Sequence, residues 1–205
     1  GTDHSQYYCS KEEAIKIISD LPKIFDEPFS DPSAIPTVLL SRFVGKEVTV
    51  ALSADGGDEI FGGYSKYSIN LKNHGALHSI FGGGKKGKFG VNLAKTIQEN
   101  GIVKDPFFEG KVGKILLEKD ASLAIVKPYH FTPGSLGKLV NEYREDDRSV
   151  FANPPRFDSS FDSIEKAMLI DYKTYLSDDV LQKVDRATMS ASLEGREPFL
   201  DYRII

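Results

Sequence analysis

The stretch VTVALSADGGDEIFGGY, residues 48–64, decides which fold this chain can adopt. It opens with a short apolar run rich in β-branched side chains, which is typical of a buried parallel strand. The run gives way to a glycine pair that stands between Asp55 and Asp58. Ligands of open α/β sheets bind at the carboxyl ends of strands, and glycine allows the sharp backbone turn needed there. The stretch therefore predicts a strand that ends in a ligand-binding turn.

The acidic side chains of this turn admit two interpretations. Tight, solvated turns of polar residues and glycine are common in proteins and need no ligand. Here, however, three acids and four glycines fall within residues 55–63, directly after an apolar strand. Carboxylates suit Mg²⁺, which proteins usually hold with one or two carboxylates together with phosphate oxygens and water. A metal–phosphate site is therefore the functional hypothesis, and a solvated turn is the alternative.

The composition restricts the class of protein. A length of 205 residues fits one domain or part of a larger one. The net charge of −4, without a long basic run, argues against a nucleic-acid partner. Cys9 is the only cysteine, so an internal disulfide and a cysteine-based zinc site are excluded and a reducing cytoplasm is expected. No apolar run reaches the ~18–20 residues that cross a bilayer, so no membrane partner is expected.

The segment before the turn predicts a β-α-α-β arrangement with the ligand turn at its end. Residues 4–9 have the pattern of a short strand, and Ser10 opens a capping box that starts a helix. A second helix is predicted to begin after Asp31 or Ser33 and to end at Gly45. The connection between the two strands is long enough for a crossover, which predicts that they pair in parallel.

The chain is predicted to be mainly helical from residue 65 to residue 205. A glycine-rich basic stretch at residues 82–90 lacks the Gly-Lys-Ser/Thr ending of a phosphate loop and is interpreted as a linker. A long amphipathic helix is expected to run from about residue 160 to Ser177, whose side chain can cap a short following helix. Further helix candidates are residues 67–81, 91–100, 111–119 and 135–145.

Three segments together resemble the synthetase domain of glutamine-hydrolysing asparagine synthetases. SADGGDEIFGGY (53–64) resembles the family motif S-G-D/E-G-G/S-D-E-x-F-G-G-Y, and GTDHSQYY (1–8) is similar to the preceding G-T-x-H segment. LSDDVLQKVDRATMSASLEGREPFLDYRII (176–205) resembles the long L-P-D-D-x-L-x-K-x-D-R run of the family. The loop DEPFSDPSAIPT (26–37) fits as well, whereas residues 82–150 match only in length and helical character.

The resemblance implies an α/β fold of the adenine-nucleotide α-hydrolase, pyrophosphatase type, in which helices flank a parallel sheet. Residues 1–205 would be a partial synthetase domain. The family uses ATP and Mg²⁺ to convert the side-chain carboxylate of aspartate into β-aspartyl-AMP, with release of pyrophosphate. Ammonia, delivered from glutamine by a separate glutaminase domain, then displaces AMP to give asparagine. A cytoplasmic homo-oligomer is expected.

The resemblance also implies roles for individual residues. Asp58 would be the metal carboxylate, and Asp55 would lie beside the pyrophosphate and the metal. Together with Arg186 they are the expected catalytic residues. The expected cofactor-binding residues are Ser53, Ala54, Gly56, Gly57 and Glu59. The expected substrate-binding residues are Asp31, Ser33 and Thr37.

Departures from the family pattern qualify these expectations. The S-G-G-x-D-S phosphate loop, the glutaminase domain and a downstream lysine segment of the family do not occur in this sequence. Ala54 stands where the family usually has glycine, Gly195 replaces the commoner alanine, and Glu197 replaces an apolar residue. We therefore expect the 205-residue chain alone to be inactive and to self-associate through exposed strand edges.

Two alternatives remain open at this point. One is an amidoligase of the β-lactam synthetase-like branch, with the same chemistry and a different acceptor. The other is a degenerate binding or assembly module without catalysis, which the substitution at Ala54 favours.

Overall fold

The computed structural model describes residues 1–69, 72, 75, 96, 121–126, 140, 141, 150 and 153–205. The chain divides into two compact units. One comprises Gly1–Phe61 and Tyr172–Ile205, and the other comprises Gly62–Asp171. The first unit combines helices with a small parallel sheet, which confirms the α/β class at this coarse level.

The elements have the following bounds in chain order. The first part of the chain forms α1 (Lys11–Ile18), α2 (Leu21–Phe25), α3 (Ala34–Val44), β1 (Val50–Leu52) and α4 (Gly57–Phe61). Later come α5 (Ala121–Val126), α6 (Ser163–Lys173), a π-helical turn (Leu176–Val180), α7 (Leu181–Met189), β2 (Glu194–Arg196) and a 3₁₀ turn (Pro198–Leu200). Residues 65–69 are also helical. Among the described residues, no helix has the length and apolar character required to cross a membrane.

The predicted strand at residues 4–9 is wrong. These residues carry no regular secondary structure, and Tyr7 instead packs against the helices that follow. Its ring stacks on Phe43 with centroids 5.1 Å apart, and its hydroxyl donates to Glu13 Oε1 at 3.0 Å. This short segment therefore anchors one aromatic side chain on the helices and does not form a strand.

The expected parallel pairing occurs, but with a different partner. β1 pairs with β2, with Val50 opposite Glu194 and Leu52 opposite Arg196. The ladder is extended on both sides by backbone bonds, from Glu194 N–H to Thr49 O (2.8 Å) and from Ser53 N–H to Arg196 O (2.9 Å). Because the strands are parallel, both end at the same edge of the sheet.

The helices of the first unit begin and end where local chemistry places their caps. Ser10 Oγ accepts the Glu13 N–H at 3.2 Å, and Glu13 Oε2 accepts the Ser10 N–H at 3.0 Å, which confirms the capping box. The predicted second helix is α3, which starts directly after Ser33 and has Gly45 as its C-cap.

The core of the first unit forms between helices that are distant in sequence. Ala34 and Val38 lie four residues apart on one face of α3, a spacing that stacks side chains along a helix. They pack with Ala187 of α7 and with Ile17 and Phe25 from the first two helices. This apolar contact fixes α7 against the amino-terminal helices.

The predicted long helix near residue 160 is confirmed as α6, but the role expected for Ser177 is wrong. Ser177 lies inside the π-helical turn and caps no helix. Its hydroxyl lies 3.2 Å from Lys173 O and 3.1 Å from Thr174 O, so it satisfies carbonyls of the preceding turn. The π-helical turn then leads directly into α7.

The second unit contains a buried carboxylate. Asp171 is 2% exposed, and its Oδ2 accepts the Tyr67 hydroxyl at 2.8 Å. Lys66 Nζ lies 2.6 Å from the same oxygen and 4.6 Å from the centroid of the Tyr64 ring. The surrounding core consists of Tyr67, Leu123, Val126, Ala167 and Ile170.

Several predicted elements lie outside the described residues, apart from isolated positions. They are the helix candidates at 91–100, 111–119 and 135–145, most of 67–81 and the linker at 82–90.

Replacement of Tyr67 by Phe tests this polar contact in the core. The variant removes the hydroxyl that donates to the buried Asp171, and a hydrogen bond to a charged group contributes about 1.5–3 kcal/mol. We expect urea denaturation to show a loss of unfolding free energy in this range. Tyr8→Phe is the matched control. Tyr8 is 80% exposed, and its hydroxyl donates to Gln6 Oε1 at the surface. Equal effects of the two variants would contradict the assignment.

Candidate active site

The acidic turn after β1 and the segment after β2 meet at one edge of the sheet. The parallel register places Ser53 beside residue 196, and the Ser53 N–H donates to Arg196 O at 2.9 Å. The chain then continues as the turn of residues 53–58 on one side and as residues 197–201 on the other. Two motifs that are remote in sequence therefore form one local surface, in the position where open α/β sheets bind ligands.

The two glycines of the turn make room for the opposite segment. Gly56 has φ +86°, and a Cβ at this position would overlap the side chain of Leu200. A Cβ on Gly57 would lie 3.1 Å from Phe199 Cδ2. Phe199 also packs edge-on against Phe61, with ring centroids 5.5 Å apart. The glycine pair therefore serves both the backbone turn and the close packing of the 3₁₀ turn.

Asp55 is held by a reciprocal pair of hydrogen bonds with Ser53. The Ser53 hydroxyl donates to Asp55 Oδ2 at 2.6 Å, and the Asp55 N–H donates to Ser53 Oγ at 3.3 Å. Both residues are half-buried. This local bonding orients the Asp55 carboxylate at the end of β1 without help from a distant residue.

The other predicted residues of the turn differ in exposure. Asp58 and Glu59 both lie in the first turn of α4, but Asp58 is exposed whereas Glu59 is 2% exposed. Ala54 is exposed as well. The structure therefore presents Asp58 to solvent and directs Glu59 into the interior. This difference arises because adjacent helix positions point in directions about 100° apart.

Glu197 is the site residue that sequence reasoning did not assign. It is half-buried and immediately precedes the 3₁₀ turn that packs on the glycine pair. Burial raises the pKa of Glu197 above its ordinary value of 4.5, and the negative charges of Asp55 and of Asp185 add to the rise. The signal in the sequence was the charged residue at a position where the family resemblance predicts an apolar one.

The predicted substrate loop is organised internally and bound to α7. Asp31 Oδ1 accepts the Ser33 N–H and the Ser33 hydroxyl, each at 2.8 Å, and Asp31 Oδ2 lies 2.7 Å from Lys183 Nζ. The Thr37 hydroxyl donates to Ser33 O at 2.7 Å. Burial by itself raises the pKa of Asp31, but the bonds from Lys183 and Ser33 outweigh burial and hold this pKa below its ordinary value.

The structure thus groups the predicted residues in two places within the first unit. Ser53, Asp55 and the two glycines lie at the sheet edge, and the loop with Asp31 lies at the start of α3. In the described part of the chain, Arg186 makes no hydrogen bond or ion pair with either group, and its Nε lies 4.0 Å from Oδ2 of the adjacent Asp185. Among the described residues, no three or more His, Cys, Asp or Glu side chains are grouped to hold a metal ion.

This α/β arrangement places an acidic glycine turn at the carboxyl end of a parallel strand, which is where open α/β folds bind their ligands. Comparison with known protein families identifies the family to which the chain belongs. The model of the asparagine synthase family matches residues 1–205, and the chain belongs to this family. The resemblance of the three sequence motifs is confirmed.

Curated relatives agree with the family match. The chain is 33% identical to asparagine synthetase (glutamine-hydrolyzing) 1 of Bacillus subtilis, in an alignment that covers 98% of this chain and 31% of the relative. It is 31% identical to a putative asparagine synthetase (glutamine-hydrolyzing) of Mycobacterium tuberculosis, in an alignment that covers 98% of this chain and 30% of the relative. It is also 48% identical to a putative asparagine synthetase (glutamine-hydrolyzing) 2 of Methanocaldococcus jannaschii, in an alignment that covers 31% of this chain and 12% of the relative.

Nearly the whole chain aligns with the first two of these relatives. It spans only about a third of the length of each relative. No solved structure matches it significantly. The family membership therefore rests on sequence, and the geometry of the site rests on the structure described above.

Replacement of Gly56 by Ala tests the packing at the sheet edge. The new methyl group would be strained at φ +86° and would overlap Leu200, so the unfolding free energy should fall by about 2–4 kcal/mol. Gly195→Ala is the matched control, because Gly195 has no positive φ and the nearest atoms to its new methyl group would be Glu197 Oε1 at 3.3 Å and the Thr188 side chain at 3.5 Å. We expect the control to change stability by less than about 0.5 kcal/mol in the same urea titration. If Gly56→Ala left the unfolding free energy unchanged, the 3₁₀ turn would not pack on the glycine pair.

Replacement of Glu197 by Gln tests the electrostatics of this edge. Because the pKa of Glu197 is raised on folding, the ionised side chain disfavours the folded state once the pH exceeds that raised pKa. Below the ordinary value of 4.5 both states are protonated and the penalty disappears. The variant should therefore raise the Tm at pH 8 and change it little at pH 4. Glu194→Gln, at an exposed carboxylate 2.8 Å from Arg196, should give no such gain. A similar gain at both pH values would contradict the assignment.

Proposed function

We propose that this chain contributes the aspartate-activating site of an ATP-dependent amidoligase of the asparagine synthetase type. In the proposed reaction an oxygen of the aspartate side-chain carboxylate attacks the α-phosphorus of ATP, and pyrophosphate leaves. Ammonia released from glutamine by a glutaminase domain then attacks the activated carbonyl carbon, and AMP leaves. The proposal includes the pyrophosphatase-type nucleotide-binding fold and a cytoplasmic homo-oligomer.

The observation that carries the proposal is the packing of the 3₁₀ turn on the glycine pair. Leu200 and Phe199 contact the positions of Gly56 and Gly57, so both family motifs converge on the carboxyl edge of the sheet. This edge is where a nucleotide and an amino-acid substrate would meet in an open α/β fold. Family membership and this convergence support the same location for the reaction.

The residues at this edge suit a hard divalent cation. Asp55 and Asp58 offer carboxylate oxygens, and Mg²⁺ needs only one or two of these when phosphate oxygens and water complete its shell. The absence of a larger acidic group among the described residues is therefore compatible with Mg²⁺. When bound, Mg²⁺ would supply positive charge against the departing pyrophosphate.

The chain's own residues would then orient the reactants. The Ser53 hydroxyl fixes Asp55 Oδ2, which leaves the carboxylate in one orientation toward the site. Gly56 and Gly57, whose Cβ sides are filled by Leu200 and Phe199, would face the nucleotide with their backbone. Ala54 would flank the nucleotide, and the buried Glu59 would support this cofactor-binding turn from the interior. The loop with Asp31, Ser33 and Thr37 would bind aspartate, with Arg186 as a further catalytic residue. A rigid scaffold of this kind lowers the barrier by holding reactants in place.

One observation favours a second candidate, an amidoligase with another acceptor. Glu197 places a carboxylate within range of the negative charge of Asp55, at a position where the resemblance predicts an apolar side chain. A second negative charge at this edge disfavours an acidic acceptor such as aspartate. Pyrophosphate release measured with a panel of carboxylate acceptors would separate the two reactions, because only the preferred acceptor gives saturable release.

Replacement of Asp58 by Asn in the natural full-length protein tests the proposal. The variant keeps the size of the side chain and removes its charge, so aspartate-dependent pyrophosphate release from ATP should fall by roughly 100-fold or more. Glu47→Gln, at an exposed position after α3, is the control and should retain the rate. A wild-type rate in Asp58→Asn would refute the metal assignment. A natural protein without affinity for Mg-ATP in calorimetry would favour a non-catalytic binding module.

A further inference from the structure

The ion pair between Lys183 and Asp31 joins two parts of the first unit that are far apart in the sequence. Lys183 Nζ lies 2.7 Å from Asp31 Oδ2, and each side chain is 11% exposed. Lys183 belongs to α7, and Asp31 precedes α3. At this level of burial both charges are largely removed from water, so each depends on the other for compensation.

Asp31 also determines the conformation of the loop. Its two Oδ1 bonds to Ser33 form a turn in which a side chain bonds the backbone two residues ahead. Its carbonyl accepts the Ala34 N–H at 3.0 Å, at the start of α3. Thr37 is bonded in turn to Ser33 O. Movement of the Asp31 carboxylate would therefore move all three residues that the proposed function assigns to the substrate.

The other end of α7 contacts the strand that borders the acidic turn. The Leu193 N–H donates to Thr188 O at 3.0 Å, and the Thr188 side chain lies 3.5 Å from the Cβ position of Gly195 in β2. From residue 183 to residue 188 a helix rises about 7.5 Å. Thus α7 connects the loop to the sheet edge as a short rigid spacer.

Apolar packing alone would leave the position of the loop less defined. Ala187 already joins α7 to α3 through Ala34 and Val38, and such small apolar contacts tolerate small displacements. A buried charge pair requires one specific arrangement of its two partners. Gln182, the residue before Lys183, adds a second bond to the same region, from its Nε2 to Glu27 Oε1 at 2.9 Å.

We propose that Lys183 is a positioning residue, which through Asp31 holds the loop of residues 31–37 at a fixed place relative to the acidic turn after β1. This inference rests on the proposed function, in which that loop binds the acceptor amino acid and the turn binds the metal and nucleotide. In this proposal Lys183 acts through its ion pair with Asp31 and not by binding a reactant. Its loss should therefore weaken binding of the acceptor and leave nucleotide binding nearly unchanged.

Steady-state kinetics of the natural full-length protein test the inference. Lys183→Met should raise the KM for the acceptor amino acid by roughly 10- to 100-fold, with less than about a twofold change in the KM for ATP. Asp31→Asn should raise the acceptor KM at least as much, and the double variant should be no worse than Asp31→Asn alone, because Lys183 acts only through Asp31. Lys183→Arg keeps the charge, should fold if the Met variant does not, and should raise the acceptor KM less.

Arg42→Met is the matched control. Arg42 Nη2 lies 3.2 Å from Asp20 Oδ2, but both side chains of this ion pair are more than 40% exposed. Exposed pairs contribute little, so both KM values should stay within about twofold of wild type. Equal changes in the two KM values of Lys183→Met, or no change in either, would overturn the inference.

Amide hydrogen exchange separates this inference from the proposed function. Lys183→Met should increase exchange in residues 27–37 and leave residues 50–58 unchanged, whether or not aspartate is the acceptor. Unchanged exchange in residues 27–37 would overturn the inference even in an active enzyme. If the unmodified protein releases no pyrophosphate with any acceptor, the proposed function fails, and faster exchange in residues 27–37 would still support the positioning role.

Discussion

The parallel pairing of β1 with β2 is the contact on which the site depends. Backbone bonds extend this ladder beyond both strands, from Glu194 to Thr49 and from Ser53 to Arg196. The pairing places the segment after β2 directly beside the acidic turn, and the turn can accept it only because Gly56 carries no side chain. A steric requirement at one glycine and a few backbone bonds therefore bring the two motifs together.

Electrostatics distinguish the two groups of acidic residues in the first unit. Asp31 is compensated by Lys183 and by donors from Ser33, and its pKa is lowered despite burial. Glu197 experiences burial and the like charges of Asp55 and Asp185, and its pKa is raised. Paired carboxylates stabilise a structure, whereas clustered carboxylates with a raised pKa are typical of functional sites. The contrast supports a role for Asp31 in organising the proposed substrate loop and a role for the sheet edge in the proposed chemistry.

Local features of the chain were predicted well because they depend on near neighbours. The capping box at Ser10, the helix Ala34–Val44 with its C-cap Gly45 and the strand before the turn follow from short patterns of polar, apolar and glycine residues. The strand expected at residues 4–9 was wrong because an aromatic residue there packs against helices. β2 was missed because Glu194, Gly195 and Arg196 carry no apolar alternation, and it becomes a strand only through its partner.

Family membership, the acidic glycine turn and its position at the end of a strand follow from residue types at fixed spacing, so they can be predicted from the sequence. Only folding brings Glu197 within range of the charge of Asp55 and pairs Lys183 with Asp31. Such contacts join residues far apart along the chain, and neither spacing nor propensity carries information about them. The glycine pair of the turn thus had a second role that only the packing of Leu200 and Phe199 revealed.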